Sequence, residues 1–209
     1  VPPMGDPAAV FKAYDIRGLV PEELDESLAR DLGSAFALLV REAEPATGRV
    51  VVARDMRATG PVLAGAFADG VRTQGIDVVD IGLASTDLAY FASGSFHVPA
   101  SVITASHNPA PYNGIKLCLA GARPVGYETG LDRMAALVEA GLPEGPGGGG
   151  IESVDVLDAF VHHVRSFVDL AALRPLKVVA DTANGMGGLV LPAVSYTHLR
   201  AHETDSYLV

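Results

Sequence analysis

The chain has 209 residues, of which 49% are apolar and 19% charged, long enough for one large domain or for one domain plus part of a second, and too apolar for global disorder. Fifteen basic residues against 25 acidic ones give a net charge of −10 with no Lys/Arg cluster, which argues against nucleic acid as a partner. No apolar run approaches the ~20 residues of a membrane span, VPPMGDP lacks the features of a secretory leader, and the single cysteine, Cys118, reads as a buried strand residue; together these predict a cytoplasmic protein.

In chain order, FKAYDIRGLVPEEL reads as irregular. Residues 26 to 42 are predicted helical, with Asp25 as N-cap and Leu28, Leu32, Phe36, Leu39 and Val40 on one face. Arg49 to Ala53 is a β-branched run typical of a buried parallel strand. A helix over 59 to 74 follows, with Thr59 as cap, Pro61 in the first turn and Gly75 at the end. Strand 76–81, helix 86–95, strands 100–104 and 115–119 and helix 127–140 complete the first rhythm. The glycine-rich run 141–150 is predicted to be a domain boundary. Beyond it come a helix over 154–173, a strand over 176–181, the turn TANGMGG and the start of a helix over 189–194.

Alternating strands and helices predict an α/β fold, with a mixed, mostly parallel sheet sandwiched by helices. The division is residues 1–145 as a first domain, 151–194 as the truncated start of a second, similar one, and 195–209 as a tail. That tail, SYTHLRAHETDSYLV, is polar and His-rich, breaks the rhythm and resembles translated sequencing-adapter read-through, so it is expected to be non-native.

The stretch carrying chemistry is ITASHNPAPYNGIK, residues 103–116, at the carboxyl end of a strand, where ligands of parallel sheets collect. Ser106 lacks the flanking glycines of a nucleophile elbow, and in an extended loop its neighbour His107 would point away from it. A phosphoserine needs a rigid exposed loop, cations for roughly −2 of charge and a base. Pro109 and Pro111 supply stiffness, Gly114 close approach, and Lys116 a cation or base. On local chemistry alone a polar surface turn fits equally well. Arg54, Asp55 and Arg57 follow a strand end and could line the site, although a structural Arg54–Asp55 network is the favoured reading. TANGMGG fails the dinucleotide fingerprint because Val190 stands at its third glycine, and His198 with His202 does not meet the order of a zinc helix.

TASHNP followed by NGIK resembles the phosphoserine loop of the α-D-phosphohexomutases, the phosphomannomutase and phosphoglucomutase family. AYDIRG (13–18), ARDMRATGP (53–61), DVVDIGLASTDLAYFA (77–92) and VVADTANGMGG (178–188) are similar to further family stretches in order and spacing, so that the resemblance covers residue 10 to about 194. It implies that Ser106 carries the transferable phosphoryl group, whose phosphate is also a ligand of Mg²⁺. His107 and Lys116 would move protons and position substrate, Lys116 being the better base candidate. Arg17 would neutralise phosphate charge, Tyr14 would pack or hydrogen-bond nearby, and Asn108 would shape the loop while Arg17, Asn108 and Lys116 hold phosphate. The implied reaction interconverts sugar 1-phosphate and sugar 6-phosphate through a bisphosphosugar, with a glucose 1,6-bisphosphate-type activator. AYDIRG leans away from the phosphoglucosamine branch. The family's aspartate-rich D-x-D-x-D metal loop does not occur in this sequence, nor do its sugar-selecting loop and its last phosphate-binding loop. The expectation is therefore a mutase lacking its C-terminal domains, with little activity alone. The alternative is a non-catalytic phosphosugar-binding or interaction remnant.

Overall fold

The computed structural model describes residues 7–174 and 178–195. The predicted strand residues 176 and 177, the tail with His198 and His202, and the first six residues lie outside them. The chain divides into two compact units, Val1–Asp155 and Val156–Val209.

The first unit carries a seven-stranded sheet. Its strands are β1 (Ile16–Leu19), β2 (Arg49–Arg54), β3 (Asp77–Leu83), β4 (Ala100–Ile103), β5 (Tyr112–Leu119), β6 (Arg123–Pro124) and β7 (Ile151–Ser153), in the order β1-β5-β4-β2-β3-β7 with β6 beside β5. β4, β2, β3 and β7 pair in parallel, whereas β5 runs antiparallel to β4 and β1. The expected mixed, mostly parallel sheet is therefore present.

Helices α1 (Glu26–Ala43), α2 (Gly60–Thr73), α3 (Thr86–Phe96) and α4 (Leu131–Ala140) flank it. Val50, Val52, Val78, Ile103, Ile115 and Leu117 form one continuous core with the apolar faces of α1, α2 and α4. Val51, Val79, Ala100, Val102 and Cys118 are also buried but belong to the opposite face, where α3 packs and buries Leu88, Ala89 and Ala92. Burial on both faces is why these strands read as apolar runs rather than alternations. α1 is capped by Asp25, whose side chain accepts from the Leu28 N–H at 2.8 Å. It crosses α2 so closely that a Cβ on Gly33 would lie 2.0 Å from the Phe67 carbonyl oxygen.

Several elements differ from the sequence-based expectation. The irregular first segment contains β1, a four-residue strand held by its register on β5, Ile16 opposite Ile115 and Leu19 opposite Tyr112. Helix 127–140 is split into a 3-10 turn, Tyr127–Thr129, and α4 by Gly130 at φ +149°. Thr59 precedes α2 but makes no capping bond. Its backbone is already helical (φ −81°, ψ −9°), and its hydroxyl accepts from Asn113 Nδ2 at 2.9 Å.

The glycine-rich run is tied to the end of α2. Gly147 N–H donates to the Thr73 carbonyl at 2.9 Å, and Arg72 Nε donates to the Gly149 carbonyl at 2.8 Å. It delivers β7 to the sheet beside β3, so the boundary between compact units falls after Asp155 rather than within 141–150.

The second unit contains α5 (Leu157–Ser166), a 3-10 turn (Leu170–Ala172) and α6 (Gly187–Ser195). The single helix expected over 154–173 is confined to Leu157–Ser166, and beyond it the Asp169 side chain accepts the Ala171 N–H at 3.0 Å and starts the separate 3-10 turn. Residues 178–180 form no strand, and the Asp181 carboxylate bonds the Ala183 N–H at 2.9 Å. A strand requires a partner for its backbone groups, and none reaches this segment among the described residues. No described helix is long and apolar enough to cross a membrane.

Candidate active site

The loop after β4 is built outward from a buried network. Asp55 follows β2, is only 6% exposed, and its backbone N–H donates to the Ile103 carbonyl at 3.0 Å. The Thr104 hydroxyl donates to Asp55 Oδ2 at 2.7 Å and accepts from the Ser106 N–H at 2.9 Å. Asp55 Oδ1 accepts from the Arg57 N–H at 3.0 Å. Asp55 is thus partnered by Arg57 and Thr104, in place of the expected Arg54–Asp55 network. Arg57, two residues on, folds back to lie with its Nε 3.4 Å from Asp55 Oδ2.

The Arg57 side chain is itself nearly buried, and its guanidinium binds four carbonyl oxygens of the serine loop. NH2 donates to Ser106 at 2.9 Å and Asn108 at 2.7 Å, while NH1 donates to Pro109 at 3.0 Å and Tyr112 at 2.8 Å. The proline stiffness read from the sequence is therefore one of two restraints. The other comes from a side chain about fifty residues earlier. Spacing gave no sign of it beyond the position of Arg57 just past a strand end.

Ser106 is exposed and adopts φ +56°, the left-handed region. For a residue with a Cβ this costs about 1 kcal/mol. The positive φ breaks the alternation of an extended chain, so Ser106 Oγ lies 3.4 Å from His107 Nδ1. The expectation that these neighbours point apart is overturned by that one backbone angle.

A second cluster stands on β1 and β5. Asp15 Oδ2 accepts from Arg17 NH2 at 2.6 Å and from Lys116 Nζ at 3.0 Å. Arg17 NH1 donates to Asn108 Oδ1 at 2.5 Å, linking this cluster to the serine loop. Arg17 Nε is buried with no hydrogen-bond partner. The two strands meet because a Cβ on Gly114 would sit 2.3 Å from the Ile16 carbonyl and 2.9 Å from that of Thr104, room that only glycine leaves. Arg17, Lys116, Asn108, Ser106 and His107 are thereby joined in one network, whereas Tyr14 is 83% exposed, with its ring beside Gly126.

The residues present can hold an anion better than a cation. Arg17 and Lys116 share the single carboxylate of Asp15, and the Asp55 carboxylate is already occupied by Arg57 and Thr104. Among the described residues no group of three or more His, Cys, Asp or Glu is placed to hold a metal ion. A divalent metal therefore does not fit these side chains by themselves.

This architecture, helices on both faces of a mixed sheet with a polar loop at a strand's carboxyl end, defines an α/β/α sandwich domain. Residues 8–140 match the family described as phosphoglucomutase/phosphomannomutase, alpha/beta/alpha domain I, and the chain belongs to that family. A protein of Xanthomonas campestris pv. campestris (strain B100) named for phosphohexose mutases is 40% identical over 206 residues, covering 93% of this chain and 44% of its own length. A phosphomannomutase of Escherichia coli (strain K12) is 39% identical over 188 residues, covering 88% and 40%. The solved structure of a phosphoglucomutase/phosphomannomutase family protein from Burkholderia thailandensis superposes with a TM-score of 0.76 at 37% identity, over 91% of this chain and 42% of that one. The chain spans less than half the length of the curated relatives it matches.

Proposed function

We propose that this chain carries the phosphoserine half of a phosphohexomutase, with Ser106 as the group that gives and takes the phosphoryl. The observation that carries the reading is an exposed serine hydroxyl, held on a restrained loop beside His107 and linked through Asn108 to Arg17. Family membership supports it.

In loading, Ser106 Oγ attacks a phosphorus of a bisphosphosugar. The Oγ–P bond forms, the sugar O–P bond breaks, and the hydroxyl proton passes to His107 Nδ1, 3.4 Å from Oγ, in place of the expected base Lys116, whose Nζ is held by Asp15, before reaching the departing sugar oxygen. In delivery the same steps run in reverse at the other sugar hydroxyl. The outcome is exchange of sugar 1-phosphate and sugar 6-phosphate. Arg17 and Lys116 supply charge for the phosphate, which competes with Asp15 for them. A family Mg²⁺ would take the Ser106 phosphate as one ligand, but the remaining ligands are not among these side chains, and no step is assigned to it.

The family reading gives the substrate as a phosphosugar. It also predicts that this chain alone sustains little turnover, since its sequence has no aspartate-rich run. The test is intact-mass analysis with peptide mapping after incubation with glucose 1,6-bisphosphate and Mg²⁺. One phosphoryl group on Ser106, lost in Ser106→Ala, is the expected result. No gain by a demonstrably folded chain would sink the reading for this chain and leave a non-catalytic phosphosugar-binding or interaction remnant.

A further inference from the structure

We propose that Arg57 is the positioning residue of Ser106, fixing from behind the loop the geometry in which the serine hydroxyl meets His107; this rests on the reading of Ser106 as the phosphoryl acceptor. Arg57 does not reach the reacting atoms through any side-chain contact. The two terminal nitrogens of its guanidinium donate to main-chain oxygens, those of Ser106, Asn108, Pro109 and Tyr112, while Nε lies 3.4 Å from Asp55 Oδ2. A lysine could not span four such acceptors, because its single ammonium is a point donor. Behind the fork, Asp55 accepts the Arg57 N–H and the Thr104 hydroxyl, and that hydroxyl in turn accepts the Ser106 N–H. Ser106 is therefore gripped on both sides, its N–H by Thr104 and its carbonyl by Arg57. These two grips bracket the one torsion, φ +56°, that the residue would not choose freely. Released from them, the loop relaxes toward extended backbone, and Ser106 Oγ and His107 Nδ1 turn to opposite sides. A displacement of about 1 Å at a reacting atom is enough to cost about 100-fold in rate.

The experiment uses the full chain and two independent readouts. The first is the loading of Ser106 by glucose 1,6-bisphosphate with Mg²⁺, followed by intact mass over a concentration series to separate the maximal rate from the half-saturating concentration. The second is the ¹⁵N resonance of His107 Nδ1, which reports its contact with Ser106 in the unloaded chain. For Arg57→Ala, with cooperative unfolding retained, the expected results are a maximal rate lowered about 100-fold and an unchanged half-saturating concentration. The His107 resonance moves to that of a free imidazole, and guanidinium ion restores part of the rate where the same concentration of sodium chloride does not. Arg30→Ala, which breaks an exposed pair with Asp69 elsewhere on the unit, leaves both readouts unchanged.

An Arg57→Ala chain that loads at the wild-type maximal rate overturns the proposal. So does one whose only defect is a raised half-saturating concentration, since that would make Arg57 a binding group. If the wild-type chain does not load, the phosphoryl-acceptor reading fails, and the His107 resonance alone decides Arg57: lost in the variant, the positioning role stands; kept, it falls. Should Arg57→Ala unfold, Arg57→Lys and Thr104→Val make the same comparison, with a loss of about 10-fold expected for removal of the single Ser106 N–H acceptor.

Discussion

Lys116 Nζ donates to Asp15 Oδ2 at 3.0 Å across 101 residues of sequence, on the same oxygen that receives Arg17. One nearly buried carboxylate thus holds two partly buried cations at the edge of the serine loop. Asp15→Asn keeps the shape and removes the charge, leaving both cations with a weaker partner. A loss of about 2 kcal/mol is expected in urea unfolding at neutral pH. In a double-mutant cycle with Lys116→Met the two losses are less than additive, because each variant removes the same pair. Strict additivity would show that the pair contributes nothing.

Gly114→Ala tests the close approach of β1, β5 and β4. The new Cβ meets two main-chain carbonyls, of Ile16 and Thr104, rather than yielding side chains. The strands have to separate, and a loss of about 3 kcal/mol in unfolding free energy follows. The Ser106 amide, which depends on Thr104, exchanges faster with solvent in the variant. Wild-type stability in Gly114→Ala would contradict the packing described.

Phe36 and Phe67 are fully buried, with ring centroids 6.0 Å apart, and join α1 to α2. Phe67→Ala is expected to cost about 3–5 kcal/mol through lost burial and a residual cavity. Against Phe36→Ala the cycle returns a coupling of about 1 kcal/mol. Calorimetry or urea titration measures both.

Burial pushes the Cys118 thiol above its ordinary value, against smaller opposing effects of the Ser93 side chain and the Ala100 backbone. The folded state resists thiolate formation, so Cys118 reacts with a thiol reagent at least about 10-fold more slowly folded than in denaturant. The sign for stability follows: a raised folded value leaves stability intact below the unfolded value and erodes it as pH rises past about 9. Unfolding midpoints measured upward from neutral pH therefore fall at the alkaline end, and the fall is smaller in Cys118→Ala.

The sequence by itself determined the α/β alternation, the apolar faces of α1 and α2, the strands from β2 to β5, and the placing of Ser106 at a strand's carboxyl end. Each of these is written locally. A helical face repeats at three and four residues, a strand buried on both faces is a short apolar run, and the serine loop is contiguous. Only the tertiary structure decided that Ile16–Leu19 is a strand, since Arg17 and Gly18 give no apolar pattern and the segment is held by its register on β5. It also decided that Arg57 grips the loop, that Asp15 joins Arg17 to Lys116, that Tyr14 stands exposed, and that β7 continues the first sheet past the glycine run. These relationships depend on strand order and register across fifty to a hundred residues, and no local spacing encodes which neighbours that order brings together. The side-by-side placing of Ser106 and His107 is the sharpest case: adjacent in sequence, they meet at a left-handed turn whose hydrogen-bond partners are Thr104, two residues before, and Arg57, about fifty residues away.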